Sequence, residues 1–380
     1  MKYDAIVLGL GAMGSAVAAH AAHRGMRVVG LERFGPAHAL GSSHGRTRII
    51  RQAYFESPEY VPLLRRAYAL WDALAARTGT VLRAQTGGLF VGRPDTPVVA
   101  GTLASALRWQ LAHEVYDAAE LRRRYPMLTP HDDEIGVYEA VAGALFPEAG
   151  VQAHLDDAAA AGAELRFGVH VAGGEAGDAG VSVTLDDGTR IEAERLVLCA
   201  GPWFSRVAPE LGIPLFVERN VQFWFAPRER ELVSPERLPI WCVQRDGERM
   251  LYGFPDFGDG VKAAHHGSGV EADPDALDRD VRAAEIAAVR EQLAAFVPPA
   301  AGPFLRAAPC MYANTPDEHF VIGLHPAHAR VALAGGFSGH GYKFAPVVGE
   351  IVAALLADDD PGFSLDLFSP HRFRPSTGSG

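Results

Sequence analysis

The feature that most restricts how this 380-residue chain can fold is its opening. A short apolar run, Asp4-Ala-Ile-Val-Leu8, enters Gly9-Leu10-Gly11-Ala12-Met13-Gly14 without a break. A run that short, closed by glycine, reads as a buried strand. Ala12 to His23 is small and apolar at helical spacing, Gly25 ends that helix, and Arg27 to Leu31 is a second strand. The result is a βαβ unit whose turn carries the GxGxxG pattern of a dinucleotide site. Gly9 permits the tight turn, Gly11 lets the backbone approach a pyrophosphate, and Gly14 lets helix and strand pack closely. The phosphates then meet the positive end of the helix. Glu32 closes the second strand, where an acid takes ribose hydroxyls and disfavours a 2′-phosphate.

Composition narrows the surroundings. A hydrophobic fraction of 48% with 21% charged residues suits a soluble protein of one large or two interleaved domains. The formal charge of −11 argues against a nucleic-acid or anionic-membrane partner, because both need a basic face. Cys199, Cys242 and Cys310 are too few and too irregularly spaced for a disulfide framework or a zinc site, so no metal is expected and the default setting is reducing and cytoplasmic. Ala5 to Ala22 has the apolarity of a secretion signal, but Asp4 stands where positive charge belongs, and cleavage would remove the glycine turn. No other stretch reaches the roughly 18–20 uncharged apolar residues of a membrane helix. The end, Pro375-Ser-Thr-Gly-Ser-Gly380 within a flexible tail expected at 373–380, is set aside from the fold.

Further along, Ser57-Pro58-Glu59 predicts a capped helix start, with Tyr60, Leu63, Leu64, Ala67, Leu70, Trp71 and Leu74 as the buried stripe. Helices are expected over 103–111, 118–125 and 151–161, then a strand over 164–167. Val181 to Leu185, the turn Asp186-Asp187-Gly188 and Thr189 to Glu192 form a hairpin, and Arg195 to Cys199 is a buried strand. From about Leu215 the pattern changes. Strand-like segments at 221–225, 240–244, 250–254 and 304–312 surround one long helix expected over 274–296. After Phe320 the strand–loop–helix pattern returns, with a strand over 330–334 and a helix over 345–356. An NAD enzyme of this length would put a separate catalytic domain after a complete nucleotide domain. Here nucleotide-binding features recur at Leu196 to Trp203 and after Phe320, so distant segments converge on the ligand, which favours the longer FAD.

Four separated motifs then carry a family resemblance. Gly41-Ser-Ser-His-Gly-Arg-Thr-Arg-Ile-Ile-Arg51, followed by Gln52-Ala-Tyr54, resembles the flavin-contacting loop of the monomeric sarcosine oxidase and N-methyltryptophan oxidase family. The resemblance recurs at Tyr252-Gly-Phe-Pro255, at Cys310-Met-Tyr312 with Pro316-Asp-Glu-His-Phe320, and at Gly336-Phe-Ser-Gly-His-Gly-Tyr-Lys-Phe344. It implies an α/β fold, a glutathione-reductase-like FAD-binding domain interrupted by a mostly β substrate domain. The expected division is 1–85, 140–212 and 313–372 for FAD, with 86–139 and 213–312 for substrate.

The same resemblance implies the site. Cys310 bonds the flavin 8α-methyl, giving covalent FAD, while Cys199 and Cys242 are buried small hydrophobes. Arg51 and Lys343 clamp a substrate carboxylate, for which an arginine fork is suited, and Tyr312 lines the substrate pocket. Lys262, Arg48, Tyr252 and His266 form the catalytic set: Lys262 beside flavin N5 to assist O2, Arg48 packed on the flavin, Tyr252 and His266 lining the pocket. Ser42, His44, Thr47, Gly201, Trp203, Gly336, Gly339, His340 and Gly341 join Gly9, Gly11, Gly14 and Glu32 around the cofactor. Arg46 departs from the Asp of well-known members.

The activity implied is oxidation of the N–CH bond of a small N-methyl or cyclic secondary amino acid by a monomer, with O2 as acceptor and H2O2 as product. Three other readings stand beside it: the same chemistry on N-methyltryptophan, pipecolate or a glycated amino acid; a dehydrogenase serving an electron carrier; and a non-catalytic dinucleotide sensor.

Overall fold

β1 (Tyr3–Leu8), α1 (Ala12–His23) and β2 (Val28–Glu32) open a computed structural model that describes residues 3–245, 249–267 and 269–373. Gly9 stands at φ +88°, where a side chain would also press on the Cys199 carbonyl oxygen at 2.6 Å. A Cβ on Gly14 would overlap the Gly9 carbonyl, whereas one on Gly11 would meet open space. Next come β3 (Arg48–Ile50), α2 (Val61–Thr78), β4 (Arg83–Gln85), β5 (Gly88–Gly92), α3 (Pro97–Trp109), β6 (Glu114–Asp117), α4 (Ala118–Arg124), β7 (Ile135–Glu139) and β8 (Gly143–Leu145). They are followed by α5 (Pro147–Ala160), β9 (Glu164–Phe167), β10 (Val171–Gly177), β11 (Gly180–Leu185), β12 (Arg190–Leu198), α6 (Phe204–Val207), β13 (Phe216–Phe225), β14 (Ile240–Gln244), β15 (Leu251–Phe254) and β16 (Val261–His265). The chain ends with α7 (Ala283–Phe296), β17 (Phe304–Asn314), β18 (Val321–His325), β19 (His328–Gly335) and α8 (Ala345–Leu356).

The first sheet has the order β10-β11-β12-β1-β2-β9, with β19 joined to β12 and β18 to β19. Its β12-β1-β2-β9 pairs and the β12–β19 pair are parallel. Strands of such a sheet are covered on both faces, which is why Ala5 to Leu8 is apolar without alternation. Ala5 and Val7 join the core with α1, α2, α5 and α8, while Ile6 packs with Val181, Val183 and Leu185 of β11. Gly349 lets α8 approach α1 closely, since a Cβ there would meet the Ala16 carbonyl carbon at 2.7 Å.

The second sheet runs β17-β13-β16-β15-β14-β5-β7-β6. Its two faces differ in kind. Leu89, Val91, Val221, Phe223, Phe225, Trp241, Val243 and Val261 pack on Val289, Leu293 and Phe296 of α7. The alternate residues point the other way: Cys310 lies across from Asn220, Tyr312 from Glu218, and Lys262 from both Trp224 and Phe254. A slip of one residue would exchange the faces, so the apolar contact with α7 sets which side the polar groups occupy.

Most expected elements form where the patterns place them, with instructive shifts. The strands expected over 189–192 and 195–199 are the single β12. The helix expected over 103–111 is α3, which starts at Pro97 and stops where Gln110 turns left-handed. The helix expected from Pro274 begins only at Ala283. Asp273 and Asp278 accept from the amides of Asp275 and Asp280, at 2.8 and 3.0 Å, closing local turns that compete with a helix. The opening turn after Ser57 is a 3-10 turn leading into α2, with the Ser57 hydroxyl accepting from the Glu59 amide. Among the described residues, no helix is long and apolar enough to cross a membrane.

Gly14→Ala should force α1 away from β1. It is expected to cost about 1–3 kcal/mol as overpacking and to weaken retention of FAD. Thermal unfolding and the flavin absorbance of the purified protein measure both.

Candidate active site

A cleft of about 730 Å³ begins at the glycine turn, within the range of about 300–1,000 Å³ typical of ligand sites. Gly9, Gly11, Glu32, Ser42, Arg48, Gly201, Trp203, Gly336, Gly339, Gly341 and Tyr312 all line it, although they span most of the chain. Glu32 accepts from the Leu10 and Phe34 amides at 2.8 and 2.9 Å. Burial would raise its carboxyl, but His38 and these amides hold it below the usual range, so it remains an anion facing the cleft. Gly14 does its work behind the turn. Two of the expected cofactor residues, His44 and Thr47, are buried with Nε2 and Oγ1 lacking any protein partner. Burial, reinforced by Arg48, pushes His44 down to about 3, so its imidazole is neutral. Neither His44 nor Thr47 lines the cleft itself, but they adjoin Ser43 and Arg48, which do, and buried polar atoms are nearly always satisfied, so these orphans fit a bound ligand's polar atoms. The residues therefore fit an FAD.

At the inner end of the cleft, Arg48 donates from Nη2 to the Ser42 carbonyl at 2.9 Å and to Cys310 Sγ at 3.6 Å, and from Nη1 to Gln222 Oε1 at 3.1 Å. The Cys310 thiol lies 3.6 Å from the Ser42 carbonyl, beside the cleft wall. Burial pushes the thiols of Cys199 and Cys242 up to about 12, in Cys242 against the opposing pull of Arg51, and leaves both protonated. Lys262 is buried; its ammonium donates to the carbonyls of Gly45 and Thr47 at 2.8 and 2.7 Å and faces the Phe254 ring at 4.9 Å. Burial first, then Arg48, holds it well below the ordinary lysine value. Arg46 does not enter the site. Its guanidinium pairs with Asp259, which also holds Arg306, and Arg306 stacks on Trp224 at 3.8 Å.

A second, smaller cavity of about 70 Å³ adjoins this point and is lined by Arg48, Cys310, Tyr312, Tyr252, His266, Arg51 and Lys343. Arg51 is sandwiched between Tyr54 at 4.1 Å and Phe55 at 3.9 Å. It donates to the Ala53 carbonyl at 2.9 Å and to Glu56 Oε2 at 2.5 Å. Burial opposes the charge of both partners, yet Arg51 brings Glu56 down to about 2. Lys343 donates to the His340 carbonyl at 2.7 Å and to the Tyr54 hydroxyl at 3.3 Å. Burial, aided by Arg51, pushes its ammonium down to about 7. Tyr312 meets His266 Nδ1 at 3.4 Å; burial keeps His266 neutral and raises both Tyr312 and Tyr252, so phenols and imidazole are uncharged.

One expected cofactor residue sits elsewhere. His340 lines the smaller cavity, donates from Nε2 to the Glu318 carbonyl at 2.9 Å, and accepts at Nδ1 from Tyr54 at 2.6 Å. Both ring nitrogens are used within the protein, and burial pushes the ring down to about 3. It is linked to Lys343 through the Tyr54 hydroxyl and does not line the cofactor cleft. Sequence reasoning passed over Glu56 and Gln222. Gln222 was legible in the polar alternation Glu218, Asn220, Gln222 along β13; Glu56 had no signal beyond lying five residues after Arg51.

The FAD dependent oxidoreductase family model matches residues 4–355. The chain is 47% identical to a monomeric sarcosine oxidase of Streptomyces avermitilis over 375 residues, 97% of each chain. It is 36% identical to an N-methyl-L-tryptophan oxidase of Salmonella arizonae over 379 residues, 98% of this chain and 100% of the relative. Among solved structures it superposes on NikD, an amino acid oxidase essential for nikkomycin biosynthesis, with a TM-score of 0.85 at 24% identity, covering 97% of both chains.

If Arg51 and Lys343 hold a carboxylate, Lys343 gives that binding a pH signature. Its charge is fully present below about 7 and lost above, and a bound carboxylate favours the charged form. The dissociation constant of propionate, which has no amine to titrate, should therefore be flat between the ligand's own carboxyl titration and about 7, and rise by up to about tenfold per pH unit above that point. Calorimetric titration should show weaker, pH-independent binding in Lys343→Met.

Proposed function

This chain belongs to the family of FAD dependent oxidoreductases, and we propose that it oxidises the N–CH bond of a small secondary amino acid, sarcosine first, acting as a monomer. The acceptor is O2, and the products are H2O2 and an imine that hydrolyses to aldehyde and amine. One observation carries this reading: Arg51 and Lys343 converge on a cavity of about 70 Å³ that adjoins the cofactor cleft. Two cations at the end of so small a space select a short amino acid through its carboxylate. So small a cavity favours sarcosine over the bulkier acid for which the 36% identical relative is named.

Bound FAD supplies the two-electron acceptor that protein side chains lack. The protein's part is orientation and charge. Arg51 exchanges Glu56 for the substrate carboxylate, and Lys343 takes its second oxygen. The neutral groups Tyr252, Tyr312 and His266 surround the amine without adding a cation that would repel it. Arg48 places positive charge where the reduced cofactor becomes anionic, and Lys262 does the same where O2 takes up electrons. Cys310 is the attachment point, as an 8α-S-cysteinyl link, and its sulfur lies between Arg48 and the Ser42 carbonyl. The division we adopt gives residues 1–85, 140–212 and 313–372 to FAD and 86–139 and 213–312 to substrate.

An H2O2 assay over a panel of secondary amino acids tests the reading. Sarcosine should be oxidised with the highest kcat/KM, N-methyltryptophan poorly, and dimethylamine, which lacks the carboxylate, at a rate lower by about 10² or more. Equal turnover of dimethylamine and sarcosine would remove the clamp. In a separate test, acid precipitation should leave the flavin on the polypeptide, and Cys310→Ala should release it to the supernatant while Cys199→Ala should not. Yellow supernatant from the unmodified protein would disprove the covalent link.

A further inference from the structure

Lys262 is held by the carbonyls of Gly45 and Thr47, so its position depends on what orients that turn. Gly45 and Arg46 are consecutive left-handed residues, at φ +96° and +69°, and Arg46 adopts that conformation although it has a side chain. Successive amides in such a turn converge to form a small anion-binding concavity, while the flanking carbonyls turn outward. Here the anion is the protein's own. Glu148, in the first turn of α5, accepts from the Gly45 amide at 2.6 Å and from the Arg46 amide at 3.1 and 3.2 Å. The carboxylate thus holds one side of the turn, and the lysine ammonium takes up the other side. The two lie on different elements, α5 and β16, and are linked only through this backbone.

We propose that Glu148 is a positioning residue for Lys262, acting through the 45–47 turn to keep the ammonium fixed and charged for the reaction with O2. The inference rests on the role given above to Lys262. The charged groups that act on this lysine are Arg48 and Arg306, which oppose its charge, and Glu148, which favours it; Trp224 and Phe254 present only ring faces. Glu148 is the only carboxylate among the groups that act most strongly on Lys262. Removing it withdraws both the anchor of the turn and a charge favouring the ammonium.

The experiment measures the two half-reactions of the holoenzyme by stopped flow. Glu148→Ala should slow reoxidation of the reduced enzyme by O2 by about tenfold or more, with anaerobic reduction by sarcosine changed less than about threefold. Glu148→Gln keeps an acceptor oxygen and the shape but not the charge. In that variant Lys262 should lose its proton more readily, so the fall in reoxidation rate with rising pH should move to lower pH. Wild-type rates and an unshifted profile in both variants would overturn the proposal, as would equal slowing of both half-reactions, which marks general damage to the loop. If Glu148→Ala fails to hold flavin, the profile of Glu148→Gln decides. Lys262→Met, measured in parallel, separates the two ideas. Normal reoxidation there overturns the role of Lys262 itself, whereas slow reoxidation there beside unaltered Glu148 variants overturns this inference alone.

Discussion

Three cationic side chains, Arg51, Lys262 and Lys343, are buried in a protein whose formal charge is −11, and two of them, Arg51 and Lys343, line one small cavity. Removing an ammonium or guanidinium from water is costly unless its donors are met. The structure meets them mainly with backbone oxygen: Gly45 and Thr47 for Lys262, His340 for Lys343, Ala53 for Arg51. Carbonyls solvate a cation without cancelling its charge. A site solvated this way keeps a positive field available for a substrate carboxylate and for a cofactor that gains electrons.

The one carboxylate placed directly on a site cation, Glu56 on Arg51, sits where an acid substrate would bind. It satisfies the guanidinium and is chemically the same kind of group as the substrate carboxylate proposed to replace it. The remaining groups are neutral by burial: His44, His266 and His340 lose their protons and Tyr252 and Tyr312 keep theirs. The field in the cavity is therefore set by the cations and by Glu56.

These groups reach one place because of the second sheet. α7 claims one face through Val221, Phe223, Phe225 and their neighbours, and the pleat then delivers Lys262, Cys310 and Tyr312 to the opposite face. The apolar core on one side is thus the reason the polar site on the other side is in register.

Much of this was readable along the chain where the cause is local. The strand, glycine turn and helix from Asp4 to His23 follow from short-range sterics: a turn that tolerates no Cβ and an acid at Glu32 one strand later. The clustering of Arg48, Arg51, Cys310, Tyr312 and Lys343 has no local cause and was expected only because they lie in motifs that carry a family resemblance. What the chain order could not show depends on contacts between distant segments. Glu148 matters only because α5 starts beside the 45–47 turn, 103 residues from its Gly45 partner. His340, within a glycine-rich motif, turned from the cofactor to Tyr54 because a partner 286 residues away satisfied its ring. The segment at 273–282 gave up its helix because aspartate side chains captured its amides and Asp275 reached Arg33, Trp203 and Arg206 across the cofactor cleft. The sequence by itself determined a dinucleotide turn and the kinds of groups around it. Only the tertiary structure decided which of them are buried, and so which keep their charge, because desolvation depends on what packs against a side chain and not on its neighbours in the chain.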